Sequence, residues 1–196
     1  TTDLVENTSK ELNKQIILNY ESYISSVVET ANYIAAITTE YGLDDNTEEL
    51  NSVYEQATDL QTDITSIFLL DIYGNRVVGS DTDSIAVGLR HKSWFKDALI
   101  NESIFHFSSP HIQDVFESSD KEVITITTTV DYYDNLTKKT GVLVVDLLID
   151  NIVELSTATN LGENGHLIIL NDDDTLIYSS TEKCIDNSCP SVTLVE

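Results

Sequence analysis

Residues that interrupt regular structure are scarce in this chain, which has two prolines and seven glycines among its 196 residues. Neither type occurs before Gly42, so nothing in the first forty residues breaks a long helix. Methionine is absent and there is a single tryptophan, Trp94, which makes that residue a landmark for everything that follows.

Basic residues are also scarce, since ten lysines and arginines stand against 34 aspartates and glutamates, a formal net charge of −24. A surface this acidic repels phosphate backbones and anionic headgroups, so nucleic acid and acidic lipid are excluded as partners. Cationic and zwitterionic partners remain open, and most of the carboxylates are interpreted as a solvated exterior. Apolar residues make up 41% of the chain, which excludes a disordered acidic tail.

Long apolar runs and familiar catalytic motifs are missing as well. No run approaches the ~18 residues of a membrane span, because the longest, Gly141 to Ile149, is interrupted by Asp146. The sequence has no signal peptide, no Gly-x-Ser-x-Gly elbow, no His-Glu-x-x-His helix and no phosphate-binding glycine loop. The four histidines are scattered. The sequence therefore predicts neither an enzyme nor a bound cofactor.

The two cysteines are Cys184 and Cys189, in the stretch Cys-Ile-Asp-Asn-Ser-Cys. A tight loop would bring them into bonding range, and a disulfide fits an oxidising compartment. A zinc site is the weaker alternative, because no histidine lies nearby in the sequence.

Residues 8–40 are predicted to form one helix about 50 Å long. Its apolar stripe recurs at three- and four-residue steps. The stripe consists of Leu12, Ile16, Tyr20, Tyr23, Val27, Ala31 and Ile34. A coiled-coil dimer segment is the alternative, although the stripe is broader than a strict heptad seam. A second helix follows, with Asn46 and Glu49 as a capping box. Its apolar face is Leu50, Val53, Tyr54, Ala57 and Leu60.

From Ile64 the pattern changes to strands joined by connections too short for parallel crossovers, which predicts an antiparallel sheet. A hairpin turns at Tyr73-Gly74-Asn75, and Ser93 is predicted to cap a short helix that carries Trp94. The predicted strands are Ile64–Tyr73, Arg76–Ser80, Ile104–Phe107, Lys121–Tyr133 and Gly141–Ile149.

Asp146 stands at the centre of the most apolar strand, where an unpaired carboxylate is costly. Such an acid either contacts a polar ligand or belongs to a local hydrogen-bond network as a structural carboxylate. We expect the first, with this strand and the Trp94 helix facing each other across a small pocket. Three threonines of the preceding strand, Thr125, Thr127 and Thr129, share one face and are interpreted as filling a pleated surface.

After a short helix over Asp150–Thr159, a last hairpin is predicted from Leu167–Leu170 and Thr175–Tyr178. It turns at Asp172-Asp173-Asp174, a spacing that lacks the alternation and glycine of a calcium loop. Two strands cannot bury a sheet face alone, so this unit is read as partial or reduced. The expected division is 1–42 for the long helix, 43–155 for a module with the pocket and 156–196 for the start of a second module.

Six motifs in this order resemble the double-Cache family of extracytoplasmic bacterial sensor domains. They are Asp71-Ile-Tyr-Gly74-Asn, Lys92-Ser-Trp94-Phe95-Lys-Asp-Ala98, Ser108-Ser-Pro110-His111-Ile-Gln113, Val123-Ile-Thr125-Ile-Thr127, Gly141-Val-Leu-Val-Val-Asp146-Leu and Gly165-His-Leu-Ile-Ile-Leu. The resemblance implies an α+β fold: a long N-terminal helix, a PAS-like antiparallel sheet and a second, smaller module. It also implies a membrane-anchored parent, namely a chemoreceptor, a histidine kinase or a diguanylate cyclase.

In amino-acid-binding members of that family, an Arg two residues before Trp holds the ligand carboxylate and a late-strand Asp holds its ammonium. Trp94, Phe95 and Asp146 match this pattern. Lys92 replaces the Arg and loses its bidentate fork, with Arg90 as a candidate substitute.

Two further positions depart from the pattern. His111 replaces a Tyr, and Gln113 replaces a second Asp. An amino acid is therefore not assigned, and the ligand classes left open are amino acids, amines and organic acids.

The function expected from this pattern is an extracytoplasmic sensor domain. It would bind a small polar molecule and transmit a shift along the N-terminal helix, through which it would also dimerise. The alternative is a surface adhesion or assembly module without a small ligand.

Overall fold

The computed structural model describes residues 2–43, 46–81, 84–157, 168–170 and 176–179. Its helices are α1 (Thr2–Tyr41), α2 (Thr47–Leu60), α3 (Ser93–Ile100) and α4 (Asp150–Thr157), with a 3-10 turn over Leu89–His91. Its strands are β1 (Ile64–Asp71), β2 (Arg76–Gly79), β3 (His106–Phe107), β4 (His111–Ile112), β5 (Glu122–Asp134), β6 (Thr137–Leu148), β7 (Ile168–Leu170) and β8 (Leu176–Ser179).

Helix α1 confirms the predicted long helix and extends it to 40 residues, about 60 Å. The middle of its apolar stripe is buried against the sheet, as Val27, Ala31 and Ile34 show, whereas Leu12 near its start is 37% exposed. The C-terminal half is also fixed by a buried polar contact, because the Thr38 hydroxyl lies 2.8 Å from the Tyr54 hydroxyl of α2.

Helix α2 packs through Leu50, Tyr54 and Ala57, but the expected contribution of Leu60 is wrong, since that side chain is 89% exposed. The capping box is also wrong. Asn46 occupies the cap position without a side-chain capping bond, and its Nδ2 instead donates to the Tyr41 carbonyl oxygen at 2.8 Å. The amide therefore binds the C-terminal end of α1 and fixes the bend between the two helices.

The sheet is antiparallel throughout, as predicted, with strand order β2-β1-β6-β5-β3 and with β4 also paired to β5. The β1–β2 turn requires its glycine, because Gly74 has φ +83° and a Cβ there would lie 2.8 Å from the Arg90 nitrogen. The β5–β6 turn has only two residues, Asn135 (φ 49°) and Leu136 (φ 60°). Strand β6 consequently begins at Thr137, four residues before the predicted start.

Strand register divides the sheet into two faces with different partners. Antiparallel pairing sets Leu69 opposite Leu143 and Ile126 opposite Val145, and this face packs against α1 and α2. The other face packs against α3. Its members are Ser66, Phe68, Leu70, Thr125, Thr127, Thr129, Val142, Val144 and Asp146.

The C-terminal part begins with α4, whose Ile152 packs on Ile124 and Ile149. Strands β7 and β8 form the predicted hairpin, with Ile169 opposite Tyr178. The turn at 172–174 and the proposed Cys184–Cys189 disulfide lie outside the described residues. In the described part of the chain, no helix is both long and apolar enough to cross a membrane.

Candidate functional site

A buried carboxylate is the centre of the α3-facing side of the sheet. Strand pairing sets Asp146 of β6 beside Ser66 of β1 and Thr125 of β5, so three polar side chains lie in one row across three strands. Asp146 is fully buried. Its Oδ1 accepts a hydrogen bond from the Thr125 hydroxyl at 2.6 Å, and its Oδ2 accepts from Ser66 at 3.1 Å and from the Gln113 amide nitrogen at 2.8 Å.

These donors make the burial of Asp146 tolerable but do not cancel its cost. Burial raises the pKa of this carboxyl, while the hydrogen bonds from Thr125, Gln113 and Ser66 act in the opposite direction. Asp146 has no cation in direct contact among the described residues; its partners are neutral donors. The acid is therefore held as a structural hydrogen-bond acceptor inside the fold.

Helix α3 lies directly on this face of the sheet. Thr127 donates from its hydroxyl to the Trp94 carbonyl oxygen at 3.0 Å, which ties the start of the helix to β5. The expected Ser93 cap is wrong, because Lys92 occupies the cap position and no side chain caps the helix.

The expected pocket between α3 and β6 is also wrong. Trp94, Phe95 and Ala98 pack straight onto the strands, and apolar side chains fill the space. The side chains that fill it are Phe68, Leu70, Leu89, Val115, Val142 and Val144. Phe95 is 1% exposed within this cluster, so the structure gives it a core position rather than a pocket wall.

A cavity of about 540 Å³ lies beside α3, at the β3 edge of the sheet. Its walls come from the first half of α3 and from the segment that contains β3 and β4. The lining residues are Lys92, Ser93, Trp94, Asp97, Asn101, His106, Phe107, Ser108, Ser109, Pro110, His111 and Asp114. Clefts of similar volume occur elsewhere, one of about 510 Å³ between α1 and α2, so chemistry rather than size distinguishes this cavity.

Asp114 is the charged centre of the cavity wall. Its carboxylate accepts from the Lys92 ammonium at 2.6 Å and from the Trp94 indole nitrogen at 3.1 Å, and lies 3.6 Å from His111 Nε2. Burial opposes ionisation of Asp114, but the contacts with His111 and Lys92 outweigh it and lower the pKa to about 2. Asp114 therefore stays charged and holds Lys92, Trp94 and His111 together.

His111 joins this cluster to the buried acid. Its Nε2 lies 3.3 Å from the Thr125 hydroxyl that donates to Asp146, and its Nδ1 lies 2.9 Å from the Ser109 carbonyl oxygen. Burial alone would lower the pKa of this imidazole, yet the hydrogen bond to Asp114 and the contact with Ser109 raise it. A continuous polar chain thus runs from the cavity wall to the sheet interior.

The residues predicted from sequence separate into four groups, of which Phe95 in the core has been described. Lys92, Trp94 and His111 line the cavity. Gln113 and Asp146 lie behind its wall and reach it only through other side chains.

Arg90 is outside the lining. Its Nε donates to the His91 ring at 3.2 Å, and its backbone packs against the β1–β2 turn, so the loop does not bring it to the place of Lys92.

Sequence reasoning missed Asp114 and Ser66, and it underestimated the threonines. Thr125 and Thr127 make the hydrogen bonds described above, and the Thr129 hydroxyl accepts from the Ser103 backbone nitrogen at 2.8 Å. The interpretation of these three as surface filling is wrong. Asp114 gave no signal because it is one acid among 34, whereas a polar residue in the apolar run of β1 could have singled out Ser66.

The described residues contain no group of three or more His, Cys, Asp or Glu side chains arranged to hold a metal ion. The basic side chains that line the cavity are Lys92, His106 and His111. The site is therefore suited to recognition by charge and hydrogen bonding.

Comparison with solved structures identifies the fold. The ligand-binding domain of the Pseudomonas fluorescens chemoreceptor CtaA, in complex with L-isoleucine, matches with a TM-score of 0.62 and 18% identity over 90% of this chain and 70% of that one. The sensory domain of the Campylobacter jejuni chemoreceptor Tlp3, with isoleucine bound, matches with a TM-score of 0.65 and 14% identity over 97% and 78%. The domain of the Pseudomonas aeruginosa amino acid chemoreceptor PctC, in complex with GABA, gives 0.64 and 14% over 85% and 72%.

No curated protein sequence matches the chain. At these identities the structural likeness establishes the fold alone, the long helix and antiparallel sheet of Cache domains. The sequence profile described as "Cache domain" matches residues 1–195, nearly the whole chain. The chain therefore belongs to the Cache domain family.

Proposed function

We propose that this chain is the ligand-binding sensor domain of a signalling receptor and that it binds a small polar molecule in the cavity beside α3. The single observation that carries the proposal is the Lys92–Asp114–His111 cluster around Trp94 in the cavity wall. Such convergence of charged groups on a concave site is typical of small-ligand pockets. A volume of about 540 Å³ accommodates a molecule of amino acid or organic acid size.

The fold neighbours support this class of ligand. CtaA and Tlp3 are solved with isoleucine and PctC with GABA, and both ligands are small zwitterions. In this chain Lys92, Trp94 and His111 would contact the ligand directly. Gln113 and Asp146 would support the wall behind it.

Signal transmission would use the sheet as a rigid connection. Strand β5 carries Thr125 on its α3 side and Ile126 on its α1 side. A change at the cavity therefore has only the thickness of this strand to cross before it reaches the long helix. A ligand can shift that helix only by its difference in affinity for the two states.

The parent protein we propose is membrane-anchored, with this domain outside the cytoplasm and α1 leading toward the membrane. Homodimerisation along α1 is part of the proposal, and light scattering with and without ligand tests it. We also propose that the chain divides into modules at residues 42 and 155. If the modules are separate, limited proteolysis should cut first near those two boundaries.

A thermal-shift screen of amino acids, amines, organic acids and nucleobases tests ligand binding. A compound that binds the native state at 100 times its Kd raises stability by about 2.7 kcal/mol, well above detection. We expect Lys92→Ala to lose most of the stabilisation. Lys96→Ala is the matched control, because Lys96 is exposed on the same helix and is not part of the lining. Equal loss in both variants, or stabilisation by no compound, would contradict the proposal.

A further inference from the structure

The side-chain amide of Gln113 is hydrogen-bonded through both its nitrogen and its oxygen, although Gln113 does not line the cavity. It is 3% exposed. Its Nε2 donates to Asp146 Oδ2 at 2.8 Å and also lies 3.0 Å from the Thr65 hydroxyl, while its Oε1 accepts from the Ser119 hydroxyl at 2.9 Å. This bracing on both sides fixes the amide nitrogen against the buried carboxylate.

The amide occupies the position that a ligand cation would need. Asp146 Oδ2 also accepts from Ser66, and Oδ1 accepts from Thr125, so protein donors already surround both oxygens. An ammonium group could reach the carboxylate only by displacing one of these buried donors, Gln113 among them. Displacement would leave the amide without its acceptor, and an unpaired buried polar group is costly.

The other carboxylate close to the cavity centre, Asp114, is also in use. It accepts from Lys92 and Trp94 and lies beside His111. Asp97 lines the cavity too, but its side chain is exposed on α3, where water screens it.

Lys92, unlike the acids near the cavity, still has hydrogen-bonding capacity left. The Lys92 ammonium has three protons, and Asp114 is its one acceptor within the described part of the chain. His111 shares that same carboxylate. Two basic side chains thus depend on one acid. The Lys92 ammonium can take a further acceptor, whereas both ring nitrogens of His111 already have partners.

We propose that Gln113 acts as a built-in substitute for a ligand cation on Asp146, so that the cavity selects a small carboxylic acid without an amino group. Lys92 binds the carboxylate of that ligand, with His111 beside it in the cavity wall. Gln113 is then a specificity-determining residue that never touches the ligand, and this proposal rests on the proposed function above.

Matched pairs of compounds that differ only in the amino group test the inference. Calorimetric titration compares propionate with L-alanine, butyrate with GABA and 3-methylpentanoate with L-isoleucine. We expect at least one acid to bind about tenfold or more tightly than its amino partner, because protein donors already occupy Asp146 and Asp114 and leave the ammonium only the water-screened Asp97 among the described acids of the lining. An amino acid that binds as tightly as its partner, or more tightly, overturns the inference and leaves the proposed function standing. No binding by any of the six overturns the inference, and the broader thermal-shift screen then decides the proposed function.

Variants separate the role of Gln113 from a merely structural one. Gln113→Ala removes one donor from Asp146 Oδ2 and should reduce the preference for the acid severalfold, a ratio that general destabilisation does not change. Ser119→Ala removes only the brace on Oε1 and should shift the ratio in the same direction by less, which keeps the test available if Gln113→Ala fails to fold. Gln56→Ala, on the exposed side of α2, is the control. An unchanged ratio in a folded Gln113 or Ser119 variant overturns the assignment.

Discussion

Replacing Asp114 by Asn removes one charge from the centre of the cavity wall while keeping the shape of the side chain. The remaining carbonyl oxygen can still accept from Trp94, but Lys92 and His111 lose their shared anion. The variant therefore measures the electrostatic part of the cluster separately from its packing.

The expected magnitude follows from the pKa of Asp114. A value of about 2 in the folded protein, against 3.8 ordinarily, corresponds to about 2.4 kcal/mol of stability when the group is ionised. The side chain is 27% exposed and its partner Lys92 is 38% exposed, so water screens the pair. We halve the figure for that reason and expect Asp114→Asn to cost about 1 kcal/mol at pH 7.

The dependence on pH distinguishes this mechanism from a packing defect. Because the folded-state pKa of Asp114 is lowered, its stabilisation is present above pH 3.8 and is lost as the pH falls toward 2. His111 contributes with the opposite sign: its raised pKa stabilises the fold below 6.5, and that contribution is lost as the pH rises through the folded value. The gap between wild type and variant should therefore be widest between about pH 4 and pH 6.

Urea denaturation at pH 3, 5, 7 and 9 measures the gap, with Asp120→Asn as the control from the same segment, where the side chain is exposed. A gap that stays constant across this range would refute the electrostatic account. A gap near zero at pH 5 would refute the claim that the cluster stabilises the wall at all.

Three further outcomes follow from the same contacts. Asp114→Asn should bind a carboxylate ligand more tightly than wild type does, because Lys92 is released from its partner. Titration calorimetry measures the change, and weaker binding would indicate a cationic ligand instead. Asp146→Asn should destabilise the fold most at acid pH and progressively less as the pH rises. The pKa of Asp146 is raised, so the wild-type protein itself loses stability as this carboxyl ionises. A penalty that grows with pH would contradict this reasoning. Gly74→Ala should cost about 1–3 kcal/mol in thermal or urea unfolding, because Ala is strained at φ +83° and its Cβ meets the Arg90 backbone; wild-type stability would show that the turn can relax.

The elements of the fold could be predicted from sequence because each has a period that survives without tertiary information. The stripe through Val27, Ala31 and Ile34 specifies a helix, and the alternation of β5 specifies a strand with two faces. Even the second face was assigned correctly, since Thr125, Thr127 and Thr129 do lie together.

The site was harder to predict from the sequence, because its geometry depends on strand register and on the irregular segment between β4 and β5. A one-residue slip of β6 would have turned Asp146 to the opposite face, and nothing in the local pattern shows that Ser66 lies beside it. Asp114 lies between β4 and β5, where no period applies. The pocket was expected in front of Asp146 because a costly buried acid suggests a ligand, but three protein donors satisfy that acid instead.

The arrangement gives a ligand a way to act on the wall. A carboxylate that binds Lys92 competes with Asp114 for its ammonium, so part of the binding free energy comes from exchanging one anion for another. Asp114 follows Gln113 directly in the chain, and Ser119 braces that glutamine from the same segment. A ligand that weakens the hold on Asp114 therefore acts on the neighbour of Gln113, which in turn donates to Asp146. A ligand changes the state of the wall only if its affinities for the two states differ, and an anion that competes with Asp114 for Lys92 would meet that condition.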